Sequence, residues 1–293
     1  MNHNRIAIQA TLRLLPAVLC LLLASCTDSR IKEHKEWGKY FEAYGIRNGC
    51  FMLRDHTHEI IHYYNKDRCL ERFTPASTFK ILNSLIALET SVAPDEQLVI
   101  PWDSVVRPVA AWNKDMNMRE AFAVSCVPYY QELARRIGAA RMKMYIDTVK
   151  YGNAVMGPHV DSFWLDNTLR ISADEQVGLV KQLYFGELKG FSERSQRIVR
   201  SLMLREDTPG YKIYYKTGWG MAEGRQILWL VGFAEHIMEV HEHKESMNKS
   251  NVRIIPYFFA LNFEVPEGDT SRNWGQARVE LLHAVLKDFG VIR

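Results

Sequence analysis

The chain has 293 residues, of which 47% are hydrophobic and 24% charged, with a formal net charge of +3. This is ordinary for a globular protein large enough to bury a sizeable core. The near balance of charge gives no indication of a nucleic-acid partner, and the length suits one or two domains.

The N-terminus stands apart. Arg5 and Arg13 precede an apolar run from Leu14 to Leu23 that contains Pro16 and falls short of the roughly 20 residues a membrane span needs. A basic segment, a short apolar run and then small residues describe a secretory signal over 1–25. Leu23-Ala24-Ser25-Cys26 resembles a bacterial lipobox, so Cys26 is expected to be the lipidated first residue of a mature domain over 26–293. A plain signal peptide that contains a cysteine is the alternative. Thr27 is not the Asp that retains many lipoproteins at the inner membrane. The expectation is therefore an exported lipoprotein facing the periplasm, at the outer membrane if the source is Gram-negative.

In chain order, residues 31–44 read as a short amphipathic helix with Trp37, Phe41 and Tyr44 on one side. Residues 49–54 and 59–64 read as two strands around a polar turn. Cys50 and Cys69 flank this hairpin, and either a disulfide or two buried thiols fits. A helix follows over about 75–89. Helical periodicity then returns in pieces: Glu120 to Val124, Tyr129 to Ile137, Arg141 to Val149 and Ala173 to Tyr184. Residues 212–219, 226–233 and 257–263 are rich in Ile, Val, Tyr, Phe and Trp and read as antiparallel strands. Pro256 marks the start of the third. His241 and His243 lie in a charged loop and read as solvated rather than as metal ligands. Residues 274–289 close the chain as a helix. The pattern predicts an α+β fold: an antiparallel sheet flanked by helices, from about 45–75 and 190–293, with a mostly helical region over about 76–189.

The densest chemistry lies in Phe73-Thr74-Pro75-Ala76-Ser77-Thr78-Phe79-Lys80. Pro75 suits a first helical turn and Thr74 can cap it. Ser77 and Lys80 are three residues apart and share a face, with Ser77 among the free N–H groups of the helix start. The helix is apolar nearly all round, so it is buried. Burial depresses the pKa of Lys80, and a neutral amine beside a hydroxyl can serve as a base. Ser125-Cys126-Val127 follows just before a predicted helix, where a second Ser could relay a proton to a leaving nitrogen. Tyr151-Gly152-Asn153 ends another helix. Lys216-Thr217-Gly218 lies on a strand, where Lys and Thr can hold a carboxylate and Gly allows close approach to the backbone. Arg278 falls on the apolar stripe of the last helix, where an unpaired Arg is rare, so it needs an anion. That anion is a substrate carboxylate or an internal salt-bridge partner. Arg272, the rival candidate, precedes the helix.

Ser-x-x-Lys with Lys-Thr-Gly is a signature shared by serine β-lactamases and penicillin-binding proteins. The middle motif here is Ser-Cys-Val, and Tyr-Gly-Asn is added. Together with Phe163-Trp164-Leu165 and Leu169-Arg170-Ile171-Ser172-Ala173, the set resembles the class D (oxacillinase) β-lactamases over essentially the whole mature chain. The resemblance implies hydrolysis of β-lactam antibiotics, and with it antibiotic resistance, through an acyl-enzyme on Ser77. It implies a carbamate made from CO2 on Lys80 as general base, with no other bound cofactor and no metal. Trp164 would steady the carbamate and Val127 would help enclose it. Ser125 would pass a proton to the leaving nitrogen, beside Lys216. The backbone N–H groups of Ser77 and Trp219 would form the oxyanion hole. Thr217, Gly218 and Arg278 would hold the substrate, with Tyr151 and Asn153 as further binding positions. The chain departs from the common family pattern at Pro128 and at Cys126. A β-lactam sensor that acylates without turnover and a cell-wall transpeptidase are the rival readings. The expected partners are small β-lactams and, through Cys26, a membrane, and a homodimer is left open.

Overall fold

The computed structural model describes residues 29–240 and 251–293. The expected signal segment, Cys26, and the pair His241 and His243 lie outside the described residues. The N-terminal part carries β1 (Ile31–Glu33), α1 (Gly38–Glu42), β2 (Asn48–Asp55), β3 (Ile60–Tyr64) and α2 (Lys66–Leu70). The middle carries a 3-10 turn (Ala76–Phe79), α3 (Lys80–Glu89), α4 (Met118–Ala123), α5 (Val127–Ile137), α6 (Ala139–Thr148), α7 (Ala173–Phe185) and α8 (Glu193–Met203). The C-terminal part carries β4 (Leu204–Asp207), β5 (Tyr211–Ala222), β6 (Arg225–Val240), β7 (Asn251–Pro266) and α9 (Trp274–Asp288).

The strands form one sheet in the order β1-β3-β2-β7-β6-β5-β4. Only the short β1–β3 pair is parallel. The two ends of the chain meet where β2 pairs with β7, Asn48 opposite Glu264 through Asp55 opposite Tyr257. The expected sheet of antiparallel strands drawn from both ends of the chain, flanked by helices, is the one observed.

The central strands are covered on both faces, which is why they are apolar at consecutive positions rather than alternately. Along β6, Leu228 and Leu230 point into one cluster with Trp37, Phe41, Trp274, Leu281 and Val285, the layer of α1 and α9. Trp229 and Val231 point into the other, with residues of α3, α5, α7 and α8. Strand β5 therefore has a helical layer on either side, and its Lys216 and Thr217 stand at the junction between sheet and helical region.

Four expectations change. Residues 31–44 are not one helix. The backbone of 30–34 is captured by β3, with Ile61 N donating to Arg30 O at 2.7 Å and His34 N to Tyr63 O at 2.6 Å, so a 3-10 turn forms only at Lys35–Trp37 and α-helix only from Gly38. Trp37 and Phe41 are nonetheless both buried on one side, as the pattern required. Residues 193–203, read with the sheet, form α8, capped by Ser192, whose side chain accepts from Ser195 N. Strand β7 starts at Asn251, so Pro256 sits inside it. Pro256 lies one residue beyond the last β2 partner, Tyr257, where β7 has lost its neighbour on that side and a missing N–H costs least. Thr74 does not cap the nucleophile helix. Its hydroxyl donates to Trp164 O at 3.1 Å, and Pro75 holds the N-cap position without a side-chain cap. Cys50 and Cys69 are buried free thiols.

Helix α3 has every residue from Lys80 to Leu88 buried, so its side chains have no solvent-facing escape. Leu82→Ala should lower unfolding stability by about 2–5 kcal/mol, read as the midpoint shift in chemical denaturation. A loss below about 1 kcal/mol would mean that the helix is not packed as described.

Candidate active site

The turn that carries Ser77 is held from several sides. Ala76 N donates to Trp164 O at 3.1 Å, Trp229 Nε1 donates to Thr74 O at 2.8 Å, and Thr78 Oγ1 donates to Pro75 O at 2.7 Å. Gln176 Nε2 then donates to Thr78 Oγ1 at 2.8 Å. These anchors maintain the left-handed backbone at Ala76, φ 47°, an uncommon state for a residue with a Cβ. Ser77 keeps 9% exposure. Lys80, one turn on, has none, and its Nζ donates to Ser77 Oγ at 2.7 Å. Burial brings the Lys80 amine down from 10.5 to about 7, because a charged ammonium without solvent is costly.

A second Ser–Lys pair faces the first. Ser125 also has a positive φ, 56°, in the tight link between α4 and α5. Lys216 Nζ, on β5, donates to Ser125 Oγ at 2.9 Å and to Thr217 O at 2.9 Å. Lys216 is fully buried. Desolvation, with Lys80, Arg278 and Arg205 as like-charged neighbours, pushes its amine well below the ordinary value. Strand β5 can approach the nucleophile turn because Gly218 has no side chain. A Cβ there would lie 2.8 Å from Pro75 O, so this glycine admits the chain's own turn.

Arg278 lies where the helical stripe placed it. Its Nη1 donates to Gly218 O at 2.7 Å, its Nε is buried without a partner, and burial lowers it to about 10. Among the described residues no carboxylate pairs with it. Arg272 is exposed and sits over the Tyr44 ring at 5.6 Å. The guanidinium of Arg205, also starved of solvent, shares the Phe122 ring with Lys216, at 5.6 and 5.5 Å. The site thus gathers Lys80, Lys216, Arg205 and Arg278, and among the described residues none of the four makes an ion pair with a carboxylate.

This chemistry has known relatives. The model of the penicillin-binding protein transpeptidase domain matches residues 48–242. The chain is 40% identical over 238 residues to β-lactamase OXA-48 of Klebsiella pneumoniae, covering 81% of this chain and 83% of that one. Among solved structures, the class D β-lactamase YbXI from Nostoc aligns at 36% identity and a TM-score of 0.77, covering 87% of this chain and 99% of that one. The chain belongs to the class D β-lactamases. A class D β-lactamase from Sebaldella termitidis aligns at 32% identity and a TM-score of 0.79, covering 90% and 99% of the two chains.

In this class D protein the remaining expected positions fall at different depths. Trp164 is fully buried and stacks on Phe79 at 5.2 Å, and its Nε1 has no hydrogen-bond partner. Val127 is half-buried at the start of α5, and Thr217 is half-buried on β5. Trp219 is 44% exposed, with Arg278 5.8 Å from its ring centroid. Tyr151 is buried and Asn153 half-buried. Tyr151 packs edge-on against Phe79 at 5.5 Å. Asn153 donates to Thr168 O at 2.9 Å and accepts from Arg170 N at 3.0 Å. Gly152 between them has φ 55°, and a Cβ there would lie 1.9 Å from Arg170 O. This motif holds the loop that carries Trp164. Two residues of the site have no motif to announce them. Arg205 is the second residue of β4, in a stretch with no apolar rhythm. Gln226 is polar and nearly buried at the head of an apolar strand, and that mismatch was the one available signal.

Proposed function

We propose that the protein opens β-lactam rings through an acyl-enzyme on Ser77, with Lys80, N-carboxylated by CO2, in the general-base position. The observation that carries the reading is the Ser77–Lys80 contact at 2.7 Å inside a site where Lys80, Lys216, Arg205 and Arg278 gather with no paired carboxylate among the described residues. Ser77 Oγ attacks the lactam carbonyl carbon as its proton leaves toward the Lys80 side. The C–N bond breaks, and the ring nitrogen takes the Ser125 proton, which the proton released by Ser77 replaces through the Lys80 side, while Lys216 Nζ holds Ser125 Oγ at 2.9 Å. Backbone N–H groups of Ser77 and Trp219 stabilise the tetrahedral oxyanion. Arg278 and Thr217 hold the substrate carboxylate, for which a planar guanidinium is well suited. Water then hydrolyses the ester, and this turnover separates the enzyme from a sensor that stays acylated.

The chain suits a carbamate in two respects. An amine poised at about 7 is available unprotonated, and Trp164 supplies a buried N–H without a partner. When present, the carbamate supplies an anionic base where an amine alone supplies a neutral one. Val127 limits access to the chamber. The same reading makes the protein a lipoprotein tethered by Cys26, facing the periplasm, with residues 26–293 as a single catalytic unit.

Purified protein should turn over a chromogenic cephalosporin, and Ser77→Ala should abolish covalent labelling by a penicillin in intact-mass measurements. A stoichiometric burst without turnover would establish the sensor instead, and labelling that persists in Ser77→Ala would move the nucleophile elsewhere.

Only the unprotonated amine captures CO2, so turnover should decline as pH falls below about 7, and added bicarbonate should restore much of it. Trp164→Phe should raise the bicarbonate requirement, and Lys80→Ala should not respond at all. Carbon-13 spectra with labelled bicarbonate check this directly. The absence of both a carbamate signal and a bicarbonate effect would leave Lys80 acting as a plain amine.

Cys26→Ala should move the protein from membrane to soluble fractions with activity retained. An unlipidated mature N-terminus by mass spectrometry would refute the tether.

A further inference from the structure

The exposed indole of Trp219 is fixed from behind by one buried side chain. Trp219 Nε1 donates to Gln226 Oε1 at 3.0 Å. Gln226 lies across the β5–β6 hairpin and keeps 8% exposure. Its amide nitrogen donates to Pro266 O at 2.9 Å and to Asp269 O at 3.3 Å. Asp269 O also accepts from Trp274 Nε1 at 3.0 Å, and Trp274 is the first residue of α9. One turn along α9, Arg278 returns to β5 by donating to Gly218 O at 2.7 Å. The contacts close a ring: Trp219, Gln226, Asp269, Trp274, Arg278, Gly218 and back to Trp219.

The ring of contacts joins the two elements that must share one substrate. Strand β5 supplies the Trp219 backbone N–H, and α9 supplies the Arg278 guanidinium. The Trp219 ring has room to turn outward, being 44% exposed. Inward, it lies 3.9 Å from where a Cβ on Gly275 of α9 would stand and 5.8 Å from Arg278 Cζ. An indole that turned about its χ angles would sweep across the guanidinium. The Gln226 acceptor is the only hydrogen bond its N–H makes within the described residues. Gln226 touches neither Ser77 nor Lys80, and its amide is spent entirely on these contacts.

We infer that Gln226 is a positioning residue for substrate binding: it locks the Trp219 indole clear of Arg278 and ties the Lys-Thr-Gly strand to the loop that begins α9. This rests on the reading of Arg278 as the carboxylate grip. The lock acts on recognition rather than on proton transfer, so its loss separates KM from kcat. Removing one hydrogen-bonding partner in a buried setting corresponds to roughly a three- to tenfold effect on the equilibrium it controls.

The test compares Gln226→Met, which keeps the shape and removes the polar ends, with Gln226→Glu, which keeps an acceptor for the indole. Nitrogen-15 tryptophan labelling reports the Trp219 indole N–H, assigned by its loss in Trp219→Phe. Gln226→Met should speed solvent exchange of that N–H at least about tenfold and raise KM for a penicillin about three- to tenfold. Its kcat should stay within about twofold. Gln226→Glu, which loses the amide donor to Pro266 and Asp269, should recover slow exchange but only part of the lost KM. The idea is overturned if Gln226→Met shifts only the melting temperature, leaving exchange and KM at wild-type values. It is equally overturned if kcat falls while KM holds. If wild-type protein does not turn over penicillins at all, the substrate reading fails, and indole exchange still reports whether the lock exists.

Discussion

Everything at this site depends on keeping an amine away from both water and carboxylates. Lys80 has no exposure and one close polar partner, Ser77 Oγ. A carboxylate in contact would hold the ammonium charged and raise its pKa. Burial without one does the reverse and brings the amine to about 7. The protein achieves this by burying α3 on every side, with α5 and α8 packed against it and its two uncharged polar residues, Asn83 and Ser84, bonded to Tyr130. The same helix that stabilises the fold thereby sets the reactivity of its first residue.

The sheet has a matching task. Strand β5 must come close enough to the nucleophile turn for Lys216 to reach Ser125 while Gly218 O receives Arg278. Glycine at 218 permits the approach, and glycine at 220 does the same beside Thr74, where a Cβ would meet Thr74 Cγ2 at 2.9 Å. The positive φ angles at Ala76 and Ser125 are the local cost of presenting two hydroxyls from tight turns, offset by the anchors around them.

How much of this could be read from the sequence follows from how local each feature is. Ser77 and Lys80 were legible because three residues in a helix fix a contact. Arg278 was legible because a charged residue on an apolar stripe contradicts its surroundings. The Lys216–Ser125 contact spans 91 residues, so no spacing rule yields it; only the combination of motifs did. The helix expected over 31–44 failed because backbone pairing with β3 overrode a sound amphipathic pattern. Helix α8 was missed although Ser192 caps it, because neighbouring aromatic strands dominated that stretch. Tyr151 and Asn153 were placed with the substrate by their family motif, and no spacing rule showed that Tyr151 packs on Phe79 or that Asn153 bonds Thr168 and Arg170. Gln226 meets Trp219 across a hairpin and Pro266 from 40 residues away, and Arg205 lies over the Phe122 ring, so no helical spacing points to these contacts.

The four cations bear on one another as well as on a ligand. Each is desolvated, and Lys216 is pushed down by Lys80, Arg278 and Arg205 together. Like charges this close destabilise the fold unless some give up their protons or an anion joins them. The two lysines can shed a proton; the two arginines retain theirs. Arg205 shares an aromatic ring with Lys216 and donates to the carbonyls of Leu202 and Leu204. Arg278 retains a buried Nε with no partner. Of the two permanent charges, Arg278 is therefore the one with unused capacity for a carboxylate. The lysines, which can lose a proton, lie beside Ser77 and Ser125, and Arg278, which cannot, lies on α9 against Gly218 O. Under the proposed mechanism, that division separates proton transfer from recognition of the substrate carboxylate.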